Sequence, residues 1–250
     1  VIETTREGEI ALLRLCHGKA SALDLELCEA LERAAAEAED SGARAIVLTG
    51  RGPIFSAGVD LKRLVAGGPD YVAEFLPALD AALLALFRCE KPCVAAINGH
   101  AIAGGALLAG ACDLRLLARG PAGIAVPELK VGVPFPQVAV EIALELFPGA
   151  ALGPALYRGR SWNPDDALAA GIVHELADAD ELLARALERA EELAAVPARS
   201  YALTKRLRRA AAFERIERDG PALAAEIRAA WSSPEVLAAV EGYVARTLRR

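Results

Sequence analysis

The chain has 250 residues, 54% hydrophobic and 25% charged, with a formal net charge of −6. It is long enough to bury a large core, and its acidic balance argues against nucleic acid as the main partner. No run of 18 uncharged apolar residues is present, so no membrane span is expected. The five cysteines (Cys16, Cys28, Cys89, Cys93, Cys112) form no C-x-x-C pair and fit a reducing cytoplasm; Cys16, Cys93 and Cys112, in apolar contexts, read as small buried hydrophobes. The three histidines are too scattered to suggest a metal site. The N-terminus lacks the basic-then-apolar order of a signal peptide.

In chain order, Ile10 to Leu15 reads as a strand. Ser21 offers an N-cap, with Asp24 in the capping-box position, for a helix carrying Leu23, Leu27, Ala30, Leu31 and Ala34 to about Glu39. Ser41-Gly42 ends it. A short buried strand follows at Ala45 to Leu48, then a turn at 50–53 and the Gly turn Phe55-Ser-Ala-Gly-Val-Asp-Leu-Lys62. Gly67-Gly68-Pro69 breaks the chain before a helix from Tyr71 to Arg88. Strand Cys93 to Ile97 enters a second Gly turn, which feeds a small-residue helix up to Asp113.

Leu114 to Leu117 and Gly123 to Val126 are further strands. Pro134-Phe-Pro136 leads into a helix from Gln137 to Leu146. Asn163-Pro164 starts another that Gly171 stops, as Pro at N1 and Gly at C′ dictate. Ile172 to Leu176 reads as the last strand. Beyond Asp180 the pattern is helical, with breaks expected at Pro197, Gly220-Pro221 and 232–234. The class is α/β with a helical tail, divided into 1–195 and 196–250.

Three constellations carry chemistry. The two Gly turns each place unpaired backbone N–H groups where they can face a ligand oxygen, although either alone also fits a tight bend. They lack the P-loop pattern and the G-x-G-x-x-G fingerprint. Glu128 is flanked by Val126, Leu129, Val131 and Val133; burial among them would raise its pKa and suit it to act as a base on a weak carbon acid. The basic group Lys205-Arg206-Leu-Arg208-Arg209, echoed by Arg246, Arg249 and Arg250, reads as a solvated helix face from which a phosphate could recruit one or two members.

Taken in order, these segments resemble the crotonase (enoyl-CoA hydratase/isomerase) family. The resemblance is carried by Gly18-Lys-Ala-Ser-Ala-Leu-Asp24, Ala45 to Gly50, Phe55 to Lys62, Lys91-Pro92, Ala96-Ile-Asn-Gly99, Gly104-Gly105, Ala111-Cys-Asp-Leu-Arg115, Pro127-Glu128 and Ala167 to Val173. It implies a crotonase-like spiral of strand–strand–helix units with C-terminal helices that build trimers or hexamers. It also implies an acyl-CoA thioester as substrate, with no cofactor beyond the CoA that the substrate carries. By motif position, the N–H groups of Val59 and Gly104 would hold the thioester oxygen, and Ser56, Ala57, Asp60, Leu61 and Lys62 would lie along CoA.

The family's hydratases look to two glutamates. Here one of those positions is Leu107 and the other is Glu128. That pattern, with Gly132-Val-Pro-Phe135, is similar to the family's Δ3,Δ2-enoyl-CoA isomerases, and would make Leu107 and Phe135 or Val133 the lining of an acyl pocket. The alternatives are a hydratase recruiting another acid such as Glu141, and a crotonase homologue that binds RNA or acts as a scaffold. Ser21 and Ala103 depart from the family pattern, which has Asn and Gly in many members.

Overall fold

A computed structural model describes residues 1–247. Three consecutive stretches repeat one path. β3 (Ala45–Gly50) leads to β4 (Ile54–Ser56) and α2 (Leu61–Arg88). β5 (Cys93–Ile97) leads to β6 (His100–Ile102) and α3 (Gly104–Ala111). β7 (Leu114–Ala118) leads to β8 (Ile124–Ala125), the short α4 (Glu128–Val131) and α5 (Gln137–Leu146). The first strand of each repeat adds in parallel to a six-stranded sheet, with Ile46 opposite Cys93 and Val94 opposite Leu114. The second strand of each builds a separate three-stranded parallel sheet, β4-β6-β8. This is the strand–strand–helix spiral that the sequence leads one to expect.

The inner strands β3, β5 and β7 of the large sheet are buried on both faces, which is why they read as continuous apolar runs. Ile46, Leu48, Ala95 and Ile97 face the helices α1 (Leu25–Asp40), α2 and α3. After α6 (Leu152–Arg158) and α7 (Pro164–Ala169) comes α8 (Leu182–Ala194), which Val47, Val94, Ala96 and Leu116 face. The corner between the two sheets is set by close approach. A Cβ on Gly99 would lie 1.9 Å from the Pro53 carbonyl oxygen, and one on Gly50 would lie 2.6 Å from Phe55 Cα. Asn98 joins the same corner: its Oδ1 accepts from Gly50 N at 2.8 Å and its Nδ2 donates to Gly52 O at 2.7 Å.

Several expectations are corrected. β1 (Ile2–Glu7), antiparallel to β2 (Ile10–Leu15), leaves five of its six residues exposed and so carries no apolar signature. The N-cap of α1 is Asp24, whose Oδ1 accepts from Leu27 N at 2.9 Å; Ser21 instead sits in a turn at φ +43. The last strand, β9, is Glu175–Ala177, because Ile172 and Val173 are buried in the turn before it. α9 (Ala198–Trp231) runs through Gly220-Pro221 without a break, packed on α2 and α5. The breaks at Pro197 and before α10 (Pro234–Thr247) are present. Residue 196 lies in the turn between α8 and α9.

The basic group is not a solvated face. Lys205 and Arg209 are buried, and both bind Asp113: Lys205 Nζ to Oδ2 at 2.7 Å and Arg209 Nη2 to Oδ1 at 3.0 Å. Arg209 also donates to the carbonyls of Phe87 and Ala111. Arg206 and Arg208 are the exposed members. Arg249 and Arg250 lie outside the described residues. Among those described, no helix is long and apolar enough to cross a membrane.

Candidate active site

The two Gly turns touch. Gly58 has φ +78, and a Cβ there would lie 2.6 Å from both Ala103 Cβ and Ile102 O and 3.1 Å from Gly104 N. Only a residue without a side chain fits that backbone and that gap. Leu23 pairs beside the first turn: its N–H donates to Gly58 O at 2.7 Å, and its carbonyl accepts from Asp60 N at 2.8 Å. In such a parallel bridge the N–H of the middle residue, Val59, points away from Leu23. Gly104 is the first residue of α3, where a helical N–H has no intrahelical acceptor. Among the described residues, neither N–H has a hydrogen-bond partner. Ala103 just before it holds φ +52 and ψ −127, a strained conformation for a residue with a Cβ.

Glu128 opens α4 and is buried among Val126, Val131 and Val133. Its Oε2 has no hydrogen-bond partner. Burial alone pushes its carboxyl up to about 8, because the charged form has lost its water.

A cavity of about 780 Å³ brings Glu128 together with Val59 and Ala103. Its mouth is exposed and cationic, with Lys19, Lys62 and Arg63. Buried Val131, Val133 and Trp231, with half-buried Tyr243, form its apolar part. Ala57, Asp60, Leu61 and Lys62 line it.

Four residues fall elsewhere. Gly104 is fully buried beside the lining residue Ala103. Ser56 is buried and shapes the first turn: its hydroxyl donates to Ser21 O at 2.7 Å and accepts from Gly58 N at 3.2 Å. Leu107 lies in the core within α3, and Phe135 packs against that core from the loop before α5; neither reaches the cavity wall. Val133 does line the cavity.

The structure adds residues that local pattern does not reveal. Asp24 lines the cavity, and its Oδ2 lies 2.8 Å from His17 Nε2 and 2.9 Å from Arg63 Nη1. His17, Asp24 and Glu26 bring possible ligand atoms within 4.8 Å of one another. The Arg63 guanidinium already supplies positive charge there. Trp231 reaches the site from the end of α9, its Nε1 donating to Pro134 O at 2.9 Å. No spacing links Trp231 to Glu128 in the sequence; only the return of α9 and α10 over the spiral does. Glu141 lies on α5 away from the cavity, with both carboxylate oxygens held by Arg215 at 2.8 and 2.6 Å.

The model of the enoyl-CoA hydratase/isomerase family matches residues 5–245 of this chain. The chain belongs to the enoyl-CoA hydratase/isomerase family. Among its relatives, a carnitinyl-CoA dehydratase of Salmonella typhi is 35% identical over 195 residues, covering 77% of this chain and 74% of the relative. The crystal structure of a probable enoyl-CoA hydratase of Mycobacterium tuberculosis superposes with a TM-score of 0.85 at 33% identity, covering 92% of this chain and 97% of that one. The human mitochondrial delta3-delta2-enoyl-CoA isomerase superposes with a TM-score of 0.94 at 26% identity, covering 99% and 98%. The enoyl-CoA hydratase/isomerase fold thus extends over nearly the whole chain, C-terminal helices included.

Proposed function

We propose that the protein isomerises 3-enoyl-CoA thioesters to 2-enoyl-CoA, with Glu128 as its acid/base group. One observation supports this choice over the other reactions of the family. Three carboxylates line the cavity, and two are engaged. Asp24 caps α1 and binds His17 and Arg63; Asp60 caps α2, accepting from Lys62 N and Arg63 N. Of the three, Glu128 is the one with a buried carboxylate oxygen that has no partner among the described residues. Hydration needs a positioned water and proton delivery at a different carbon, whereas double-bond migration needs one base that gives back what it takes.

In that reaction the Glu128 carboxylate removes a proton from C2. The C2–H electrons form a C1–C2 double bond and the carbonyl π pair moves onto the thioester oxygen; when that oxygen re-forms the carbonyl, the C1–C2 pair becomes the C2–C3 double bond and the C3–C4 pair takes the returned proton at C4. Between the two transfers, the negative charge rests on the thioester oxygen. The N–H groups of Val59 and Gly104 are proposed as its donors, preorganised because nothing else uses them. The cationic mouth suits the phosphates of CoA, and the apolar part suits the acyl chain. A homotrimer or hexamer is the proposed assembly.

The test supplies a 3-enoyl-CoA to wild type and to Glu128→Gln. A loss of about 10²-fold or more in kcat is expected. Equal rates would overturn the assignment. Hydration or dehydration is the second reading, favoured by the similarity to the dehydratase and the hydratase. Efficient hydration of a 2-enoyl-CoA without isomerisation would establish it instead.

A further inference from the structure

A second cavity, about 560 Å³, lies between α2, α5 and α9; apolar Leu76, Leu84, Ile216 and Ile227 line it together with polar Asp80 and Gln137. Two chain segments contribute to both cavities, and both change sides at the same place. After β8, Val133 lines the catalytic cavity, whereas Pro136, Gln137 and Val138 line the second. On α9, Ile227 and Arg228 line the second, whereas Trp231, one turn on, lines the catalytic cavity. Between these crossover points the Trp231 indole donates to the Pro134 carbonyl at 2.9 Å, and Trp231 is 1% exposed.

We infer that Trp231 is the end wall of the acyl site, separates the two cavities, and limits the length of acyl chain the enzyme accepts. The inference rests on the acyl-CoA reading above. The catalytic cavity has an exposed cationic mouth and an apolar part, so the phosphates of CoA and the acyl terminus have one favourable direction of entry. A chain that passes Glu128 meets the indole. The indole is held by packing and by the one hydrogen bond, so it yields only at the cost of a buried, unpaired N–H. Beyond it lies the second cavity, whose Leu76, Leu84, Val138, Ile216 and Ile227 would offer apolar contact to a longer chain if the wall were removed, beside the polar Asp80 and Gln137. Each methylene that gains such burial improves binding about fourfold.

The experiment measures kcat/KM for 3-enoyl-CoA esters of six, eight, ten and twelve acyl carbons with wild type, Trp231→Phe and Trp231→Ala. Wild type is expected to favour the six-carbon ester over the twelve-carbon one. Trp231→Ala should raise the twelve-to-six ratio about tenfold or more, chiefly through KM, and Trp231→Phe should stay near wild type. A folded Trp231→Ala protein with an unchanged ratio, or a wild type indifferent to length, would overturn the inference. Calorimetric binding of saturated six- and twelve-carbon acyl-CoA makes the same comparison without turnover. An enzyme that isomerises nothing therefore sinks the reaction assignment, whereas length-blind binding sinks the end wall. If Trp231→Ala does not fold, the wild-type profile and Trp231→Leu decide.

Discussion

At neutral pH the Glu128 carboxyl is mostly protonated, since burial holds it at about 8. A carboxyl raised by folding stabilises the protein fully below its unfolded value, near 4.5, and that contribution is lost as pH rises through 8. Glu128→Gln is therefore expected to be more stable than wild type above pH 8, by about 2–4 kcal/mol in urea unfolding, with the two converging below pH 4.5. Asp80, pushed up to about 7 by burial, adds a pH dependence of its own that this substitution leaves in place. Activity has the opposite sign: the base must be ionised, so kcat/KM for isomerisation should climb about tenfold per unit between pH 6 and 7 and level off above 8. Ala103, at φ +52, carries strain that glycine would relieve. Ala103→Gly should gain about 1 kcal/mol in thermal or urea unfolding. Glu128 and the glycine turns were legible in the sequence because their signals are local: a carboxylate among valines, and glycines where two backbones touch. Leu107 and Phe135, assigned to the acyl pocket by resemblance, pack in or against the core, because a motif position does not fix which way an apolar side chain faces.

At the scale of elements, α9 is fastened by Asp113. This one carboxylate at the start of β7 accepts from Lys205, Arg209 and the backbone N–H of Cys93. Asp113→Ala would leave two buried cations without their anion, and a loss of about 3–5 kcal/mol is expected in urea unfolding. A solvent-screened pair would lose less than 1 kcal/mol, so the measurement separates the two situations. The same contacts explain what was illegible here. Charge runs in a sequence look solvated until the anion they meet, some ninety residues away, is known. Gly220-Pro221 looks like a helix break until α2 and α5 hold the helix on course. The inner strands of the large sheet were legible because burial on both faces makes each a short apolar run; β1, an exposed edge, had no such mark.

For the whole molecule, the spiral and the helical tail play different parts. The proposed trimer or hexamer predicts a sedimentation-equilibrium mass of three or six times the 26.2 kDa chain; a monomer at micromolar concentration would count against it. Exposed Leu203 and Leu207 on α9 are among the apolar residues that such an assembly has available to cover. The corner at Gly50, Gly99 and Gly105 admits no added atom, with backbone neighbours 1.9 to 2.6 Å from where a Cβ would stand. The far wall at Trp231 hangs on a separate helix and a single indole hydrogen bond. Mutational tolerance should therefore be lopsided: a library spread over the corner would yield mostly unfolded proteins, while one confined to the ends of α9 and α10 could retool what the enzyme accepts and leave its reaction intact.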